Sequence, residues 1–314
     1  MGARSLPRSG SMQFWPRKRA KRIYARVRSW PTVKDNKPLA FIGYKAGMIQ
    51  LLAVNENKNS HLKGEEIIVP ATIIECPPMK FLSVRFYKTI NDFAKLQKEI
   101  FFKTEKNLSR KIKNPKENTK ELEKINLEDH DFIRATVYSQ PQKAGFGKKK
   151  PEIIEMALGG SKQEQLDFIK QNNDKEIEIG SVFSENQTVD IHAVTKGQGF
   201  QGPVKRFGIG LKGHKSEKGR RAPASLGPWV RQQHISYRVA HAGQTGGHQR
   251  TENNKQILQI LNPSDKPVEN IHKYGNVKSN YIILHGSIAG PKKRTIILTA
   301  PMRASKKSHK LAII

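Results

Sequence analysis

One cysteine, Cys76, stands in a chain of 314 residues. A single thiol excludes an intrachain disulfide and any multi-cysteine zinc site, and it suits a reducing compartment such as the cytoplasm. Followed by Pro77-Pro78 at the end of a predicted strand, Cys76 reads as a small apolar filler, not a catalytic thiol. No apolar run approaches the roughly 18 to 20 residues needed to span a bilayer. The N-terminus has no apolar core of a secretory signal. It begins Met1-Gly2-Ala3-Arg4-Ser5-Leu6, and Leu6 stands where a myristoylation signal wants Ser or Thr. Its Arg-rich, acid-free start imitates only the composition of an organellar transit peptide. Acid is the scarcest resource: 27 Asp and Glu face 57 Lys and Arg, a net charge of +30. None lies before Asp35 or after Glu269. A folded domain with that much like charge repels itself unless a polyanion neutralises it; the natural ones are nucleic acid and anionic membrane surfaces, and the lack of any membrane signal favours nucleic acid.

What is present falls into blocks. Residues 1–34 hold ten Lys and Arg with Trp15, Tyr24 and Trp30 interleaved. With few aliphatics, this segment reads as an extended arm that orders on a partner. Residues 39–54 read as two short strands around a turn at Ala46-Gly47, and 65–77 as another strand or pair. In 89–102, Ile90, Phe93, Leu96, Ile100 and Phe101 fall near helical spacing. Residues 107–131 read as a loose, exposed helical patch and 132–141 as a strand. Ser161 and Glu164 have capping-box spacing at the head of a helix over 159–172. Most acids lie in this middle stretch, the part least suited to facing a polyanion. Alternation over 178–199 reads as strand, and 279–301 as two strong strands around a Gly-Pro turn. Strands at both ends, with long excursions between, suggest a β-barrel, whose closure removes sheet edges. No internal repeat is evident.

"GQGFQG" (197–202) matches half of a dinucleotide fingerprint. Pro203, Gly208, Gly210 and Gly213 argue against the helix that would hold a pyrophosphate, so the glycines read as letting backbone approach phosphates. His234, His241 and His248 recur every seven residues, wider than metal spacing and without carboxylate company. No nucleophile–base or paired-carboxylate pattern stands out. The clusters at 16–22, 218–221, 291–294 and 305–310, with Trp15, Tyr24, Trp30, Phe207, Trp229 and Tyr237 among them, combine phosphate-pairing cations with rings that stack on unpaired bases. Dispersed clusters point to a large folded RNA. An RNA-modifying enzyme would need a cofactor or metal constellation. An architectural protein for duplex DNA would use regular groove-reading helices, whereas Gly and Pro break up the basic parts here.

Seven pieces in order resemble the ribosomal protein L3 family in its archaeal and eukaryotic form: "RSGSMQFWPRKRAKR" (8–22), "RVRSWP" (26–31), "FIGYKAGM" (41–48), "ECPPM" (75–79), "VTKGQGFQGPVKRFG" (194–208), "AGQTGGHQRTENNKQIL" (242–258) and "HGSIAGPKKR" (285–294). The resemblance implies a mainly β protein with a closed barrel of translation-factor type. It implies a basic arm over 1–34, a barrel over 35–87 and 179–302 that includes an RNA-penetrating loop at 197–258, an α+β insertion at 88–178 and a basic tail at 303–314. It implies a non-enzymatic, cytoplasmic constituent of the large ribosomal subunit that takes part early in its assembly. The expected partners are large-subunit ribosomal RNA and neighbouring ribosomal proteins, with no cofactor, metal, membrane or small-molecule substrate.

The loop tip, Leu226, Gly227, Pro228 and Trp229, is expected near the peptidyl-transferase region. Expected RNA contacts in the arm are Arg8, Arg17, Lys18, Arg19, Lys21, Arg22, Arg26, Arg28 and Trp30. In the loop they are Lys196, Lys205, Arg206, Lys218, Arg220, Arg221, Trp229, Arg231, Arg238, Gln244, His248 and Arg250. Beyond it they are Lys292, Lys293 and Arg294. Where some members carry a modified histidine upstream of the tip, Glu217 stands here, with His214 three residues earlier, and no such modification is expected.

Overall fold

The computed structural model describes residues 8–57, 59–223, 226, 235, 237–305 and 311–313. Among these the chain is mainly β and divides into two units: Met1–Arg22 with Val194–Gln249, and Ile23–Ala193 with Arg250–Ile314.

In the second unit the 39–54 stretch forms one strand, β1 (Ala40–Asn55), not two. The expected turn is an irregularity in register between Lys45 and Gly47. A bulge bends a strand without ending it. Before it, β1 is buried on both faces; from Met48 to Leu52 exposed and half-buried residues alternate. On one side β1 pairs with β2 (Glu66–Glu75) along most of its length. A second, four-stranded sheet holds β3 (Met79–Ile90), β4 (Phe93–Phe101), β5 (Phe132–Ser139) and β6 (Ile153–Met156), ordered β4-β3-β5-β6. The larger sheet adds β7 (Thr188–Val194), β10 (Gln249–Leu261), β11 (Tyr281–His285), β12 (Thr295–Thr299) and β13 (Leu311–Ile313). Its order is β12-β7-β10-β11-β2-β1-β13, and β12 also pairs with β1. The neighbours β1, β12, β7, β10, β11 and β2 therefore lead back to β1. β11 and β12 flank the Gly-Pro turn as expected but do not pair with each other; each joins a different part of the sheet.

The helical reading of 89–102 is overturned. β3 and β4 form a hairpin in which Asn91 and Asp92 both take positive φ, 49° and 61°. Two such residues suit a tight hairpin turn whose twist matches its strands. The apparent period does not mark one buried face: Ile100 is buried in the core, whereas Ile90, Phe93 and Leu96 are exposed. The helix expected after Ser161 is α1 (Lys162–Asn172), with both halves of the capping box in place and Leu166 and Ile169 buried. The charged stretch forms short 3-10 turns at Lys106–Arg110, Thr119–Lys124 and Leu127–Asp129. One hydrophobic cluster joins residues of both sheets, among them Phe41, Ile42, Phe81, Phe86, Ile191 and Leu298. Tyr24, Val27 and Trp30 pack against it, and Ala25 is buried.

Two polar groups, one buried and one half-buried, tie distant segments of this unit. The Glu75 carboxylate accepts from the backbone N–H groups of Gly145, Lys278 and Ser279 and from the Tyr274 hydroxyl. Burial, then the charge of Glu75, pushes the Tyr274 hydroxyl's pKa far up. His192 on β7 bonds Thr251 at 2.9 Å and Thr299 at 3.1 Å, joining β10 and β12. Burial lowers its pKa. Cys76 is buried as expected, and burial raises its thiol pKa.

The first unit holds β8 (Gly199–Gln201) antiparallel to β9 (Gly243–Thr245), and α2 (Pro203–Phe207). The sequence reading placed no helix here. Pro203 instead starts one, at a position where its missing N–H is harmless. Gly208 ends it after five residues at φ 67°.

Glu75→Ala is expected to destabilise the protein by at least about 3 kcal/mol, because several buried donors lose their acceptor at once; chemical denaturation measures it. Stability is also expected to fall as pH drops below the ordinary histidine pKa of about 6.5. The unfolded chain takes up a proton there that folded His192 resists. His192→Gln should flatten that part of the stability–pH curve, and an identical curve would remove His192 as its source.

Candidate nucleic-acid interface

The first unit carries seventeen Lys and Arg against one acid, Glu217. In the second unit cations meet carboxylates: Arg85 with Glu99 and Glu155, Lys80 with Glu105, Lys143 with Glu176. The first unit satisfies its half-buried arginines with backbone carbonyls and rings. Arg206, on α2, donates to the carbonyls of Gln244 at 3.1 Å and His241 at 2.9 Å. Arg17 donates to the Arg206 carbonyl at 2.8 Å. Both guanidinium groups lie over the Phe207 ring, 4.2 Å (Arg17) and 5.0 Å (Arg206) from its centroid. Burial lowers both pKa values, and a neighbouring cation lowers each further: Arg8 for Arg17, Arg17 for Arg206. Guanidinium nonetheless stays charged.

Trp15 packs on Phe207 at 5.9 Å and edge-on to Tyr237 at 6.3 Å. Arg8 donates to the Arg238 carbonyl at 2.8 Å. His248 is buried; its Nδ1 donates to the Lys18 carbonyl at 2.9 Å, and its backbone N–H bonds the Thr195 hydroxyl. The Gln244 amide donates to the Gly246 carbonyl at 2.8 Å. Arg17, Arg206, Gln244 and His248 therefore hold the unit together from within. Sequence composition marked them as cations and polar groups but could not separate these internal fasteners from outward ones. Nor could it show that Trp15, Phe207 and Tyr237 contact one another.

The outward set in the first unit comprises Arg8, Lys18, Arg19, Lys21, Arg22, Lys196, Lys205, Lys218, Arg220, Arg221 and Arg238, all exposed. Leu226 is exposed too. Gly227, Pro228, Trp229, Arg231 and His234 lie outside the described residues. In the second unit Arg26 and Arg28 are exposed and Arg250 is half-buried. Trp30 packs on protein, with the Arg134 guanidinium 5.7 Å from its ring centroid. In the 291–294 cluster only Lys293 is fully exposed, at φ 67°. Lys292 donates to the His272 carbonyl at 2.7 Å, and burial lowers the Arg294 pKa. Among the described residues no cluster of histidine, cysteine and carboxylates could hold a metal ion.

The sequence model of the family described as Ribosomal protein L3 matches residues 1–314. That places the chain among ribosomal proteins, which are structural constituents of the cytoplasmic ribosome and not enzymes. More narrowly, the chain belongs to the ribosomal protein L3 family. Similar proteins named large ribosomal subunit protein uL3 come from archaea. That of Methanothermobacter thermautotrophicus is 40% identical over 98% of this chain and 95% of its own length. That of Archaeoglobus fulgidus is 39% identical over 96% and 93%. That of Methanocaldococcus jannaschii is 40% identical over 95% and 91%.

Neighbours on α2 separate the two kinds of cation. Arg206→Ala is expected to lower the melting temperature, at a cost of about 2 kcal/mol or more from lost charged hydrogen bonds. Lys205→Ala should leave melting unchanged. Equal melting of the two variants would contradict the internal role of Arg206.

Proposed function

We propose that this chain binds and organises large-subunit ribosomal RNA. It supports early assembly of that subunit and meets neighbouring large-subunit proteins. It places the tip Leu226, Gly227, Pro228 and Trp229 near the peptidyl-transferase centre. The observation that carries the reading is the charge partition: a 78-residue unit with seventeen cations and one acid. Such a unit gains a counter-charge from phosphates that its own residues do not supply. The resemblance and the relatives' name support ribosomal RNA as that polyanion. The returning strand order of the large sheet supports a closed barrel of translation-factor type as the platform. A hairpin arm of roughly 20 residues reaches about 60 Å at close to full extension, enough to carry one aromatic deep into folded RNA.

Co-sedimentation with the large subunit, and protection of its RNA in footprinting, test the whole reading. Affinity for that RNA should fall steeply with salt. Replacing Lys218, Arg220 and Arg221 together should reduce the log–log slope by about 2 to 3, since each phosphate contact contributes about 0.7 to 0.9. Trp229→Ala should barely change the stability of the free protein, whereas truncating a core Trp costs about 3 to 5 kcal/mol. The same variant should impair peptidyl transfer or tRNA binding on ribosomes that contain it. Large destabilisation with normal ribosome activity would return Trp229 to a core role.

A further inference from the structure

Phe200 is the middle residue of β8 and is 77% exposed. Phe93, at the tip of the β3–β4 hairpin, is as exposed, but it follows Asp92 in the unit that carries 26 of the 27 acids. Phe200 lies in the unit with one. Its strand is held firmly: it pairs with Gln244 across to β9, and Gln198 N–H donates to the Thr245 carbonyl at 2.9 Å. Exposed Lys196 and Lys205 stand on either side of it in sequence.

The flanking glycines add an independent observation. Gly197 and Gly202 have no positive φ, and a Cβ on either would meet nothing within 4 Å. The fold itself therefore requires glycine at neither position. A bare backbone beside an exposed ring, among cations, leaves room for a flat ligand to lie close. Gly199, between them, takes φ 72° and meets nothing within 4 Å either.

We propose that Phe200 is a base-stacking platform: an unpaired base of RNA lies on its ring, while the bare backbone at Gly197 and Gly202 lets the adjoining sugar-phosphate approach. This rests on the RNA-binding reading above and adds to it a named, uncharged contact. Stacking on an aromatic is sequence-tolerant, because every base has a π-face. It is also salt-insensitive, unlike phosphate pairing.

The test uses the full chain and fragments of large-subunit ribosomal RNA. Phe200→Ala should leave thermal melting unchanged and weaken binding about tenfold, with the salt slope intact. Phe200→Trp should restore affinity, and Phe200→Leu should not. Gly197→Ala and Gly202→Ala should melt no lower than the parent, yet bind more weakly. Undiminished binding by Phe200→Ala overturns the proposal. Full rescue by Leu also overturns it, since that marks a general apolar contact such as a protein partner makes. Failure of the parent chain to bind the RNA at all would instead sink the RNA-binding reading itself.

Discussion

A guanidinium with no carboxylate in reach must find its partners elsewhere, and the first unit is organised by that constraint. Arg206 and Arg17 close on backbone carbonyls and share the face of Phe207. Cation–ring contact and carbonyl acceptors satisfy the donors without cancelling the charge. The unit thus folds around positive charge that remains uncompensated, and its outward lysines and arginines add to the same field. A carboxylate in place of any of these carbonyls would strengthen the unit while weakening that field.

The second unit solves the opposite problem. Its acids are numerous enough to be used inside. Glu75 gathers donors from residues 145, 274, 278 and 279. Asp190, buried on β7, accepts from the backbone of Asn254 and Met302. Glu152 accepts from the buried Tyr44 hydroxyl at 2.7 Å. These carboxylates fix loops to the sheets, because a buried charge tolerates only well-placed partners. The same residue class is thus a fastener in one unit and almost missing from the other.

Local signals were the legible ones. The capping box at Ser161 and Glu164 involves four consecutive residues, and α1 begins where it says. Strand character in 281–285 and 295–299 was plain from their unbroken aliphatics, yet their partners were not, because pairing depends on distant chain. The 89–102 stretch misled because spacing near the helical period can arise in a strand pair most of whose apolar residues are exposed. Two consecutive residues with a taste for positive φ, Asn91-Asp92, were the overlooked clue to a hairpin. Charge clusters marked the candidate interface in outline. They could not show that Trp30 packs on protein or that His248 bonds the Lys18 carbonyl, since both depend on segments far apart in sequence. Phe200 was passed over because a lone aromatic inside a glycine motif looks like punctuation.

The first unit is assembled from two segments that are made at different times. Its opening segment ends at Arg22, and the remainder begins at Val194. At about 5 to 20 residues per second of synthesis, roughly 9 to 35 seconds separate the two. Throughout that interval Trp15 lacks Phe207, Arg17 lacks the Arg206 carbonyl, and the Lys18 carbonyl lacks His248. A nascent chain therefore emerges with a cationic, aromatic leader that has no intramolecular home and is available to any nearby polyanion.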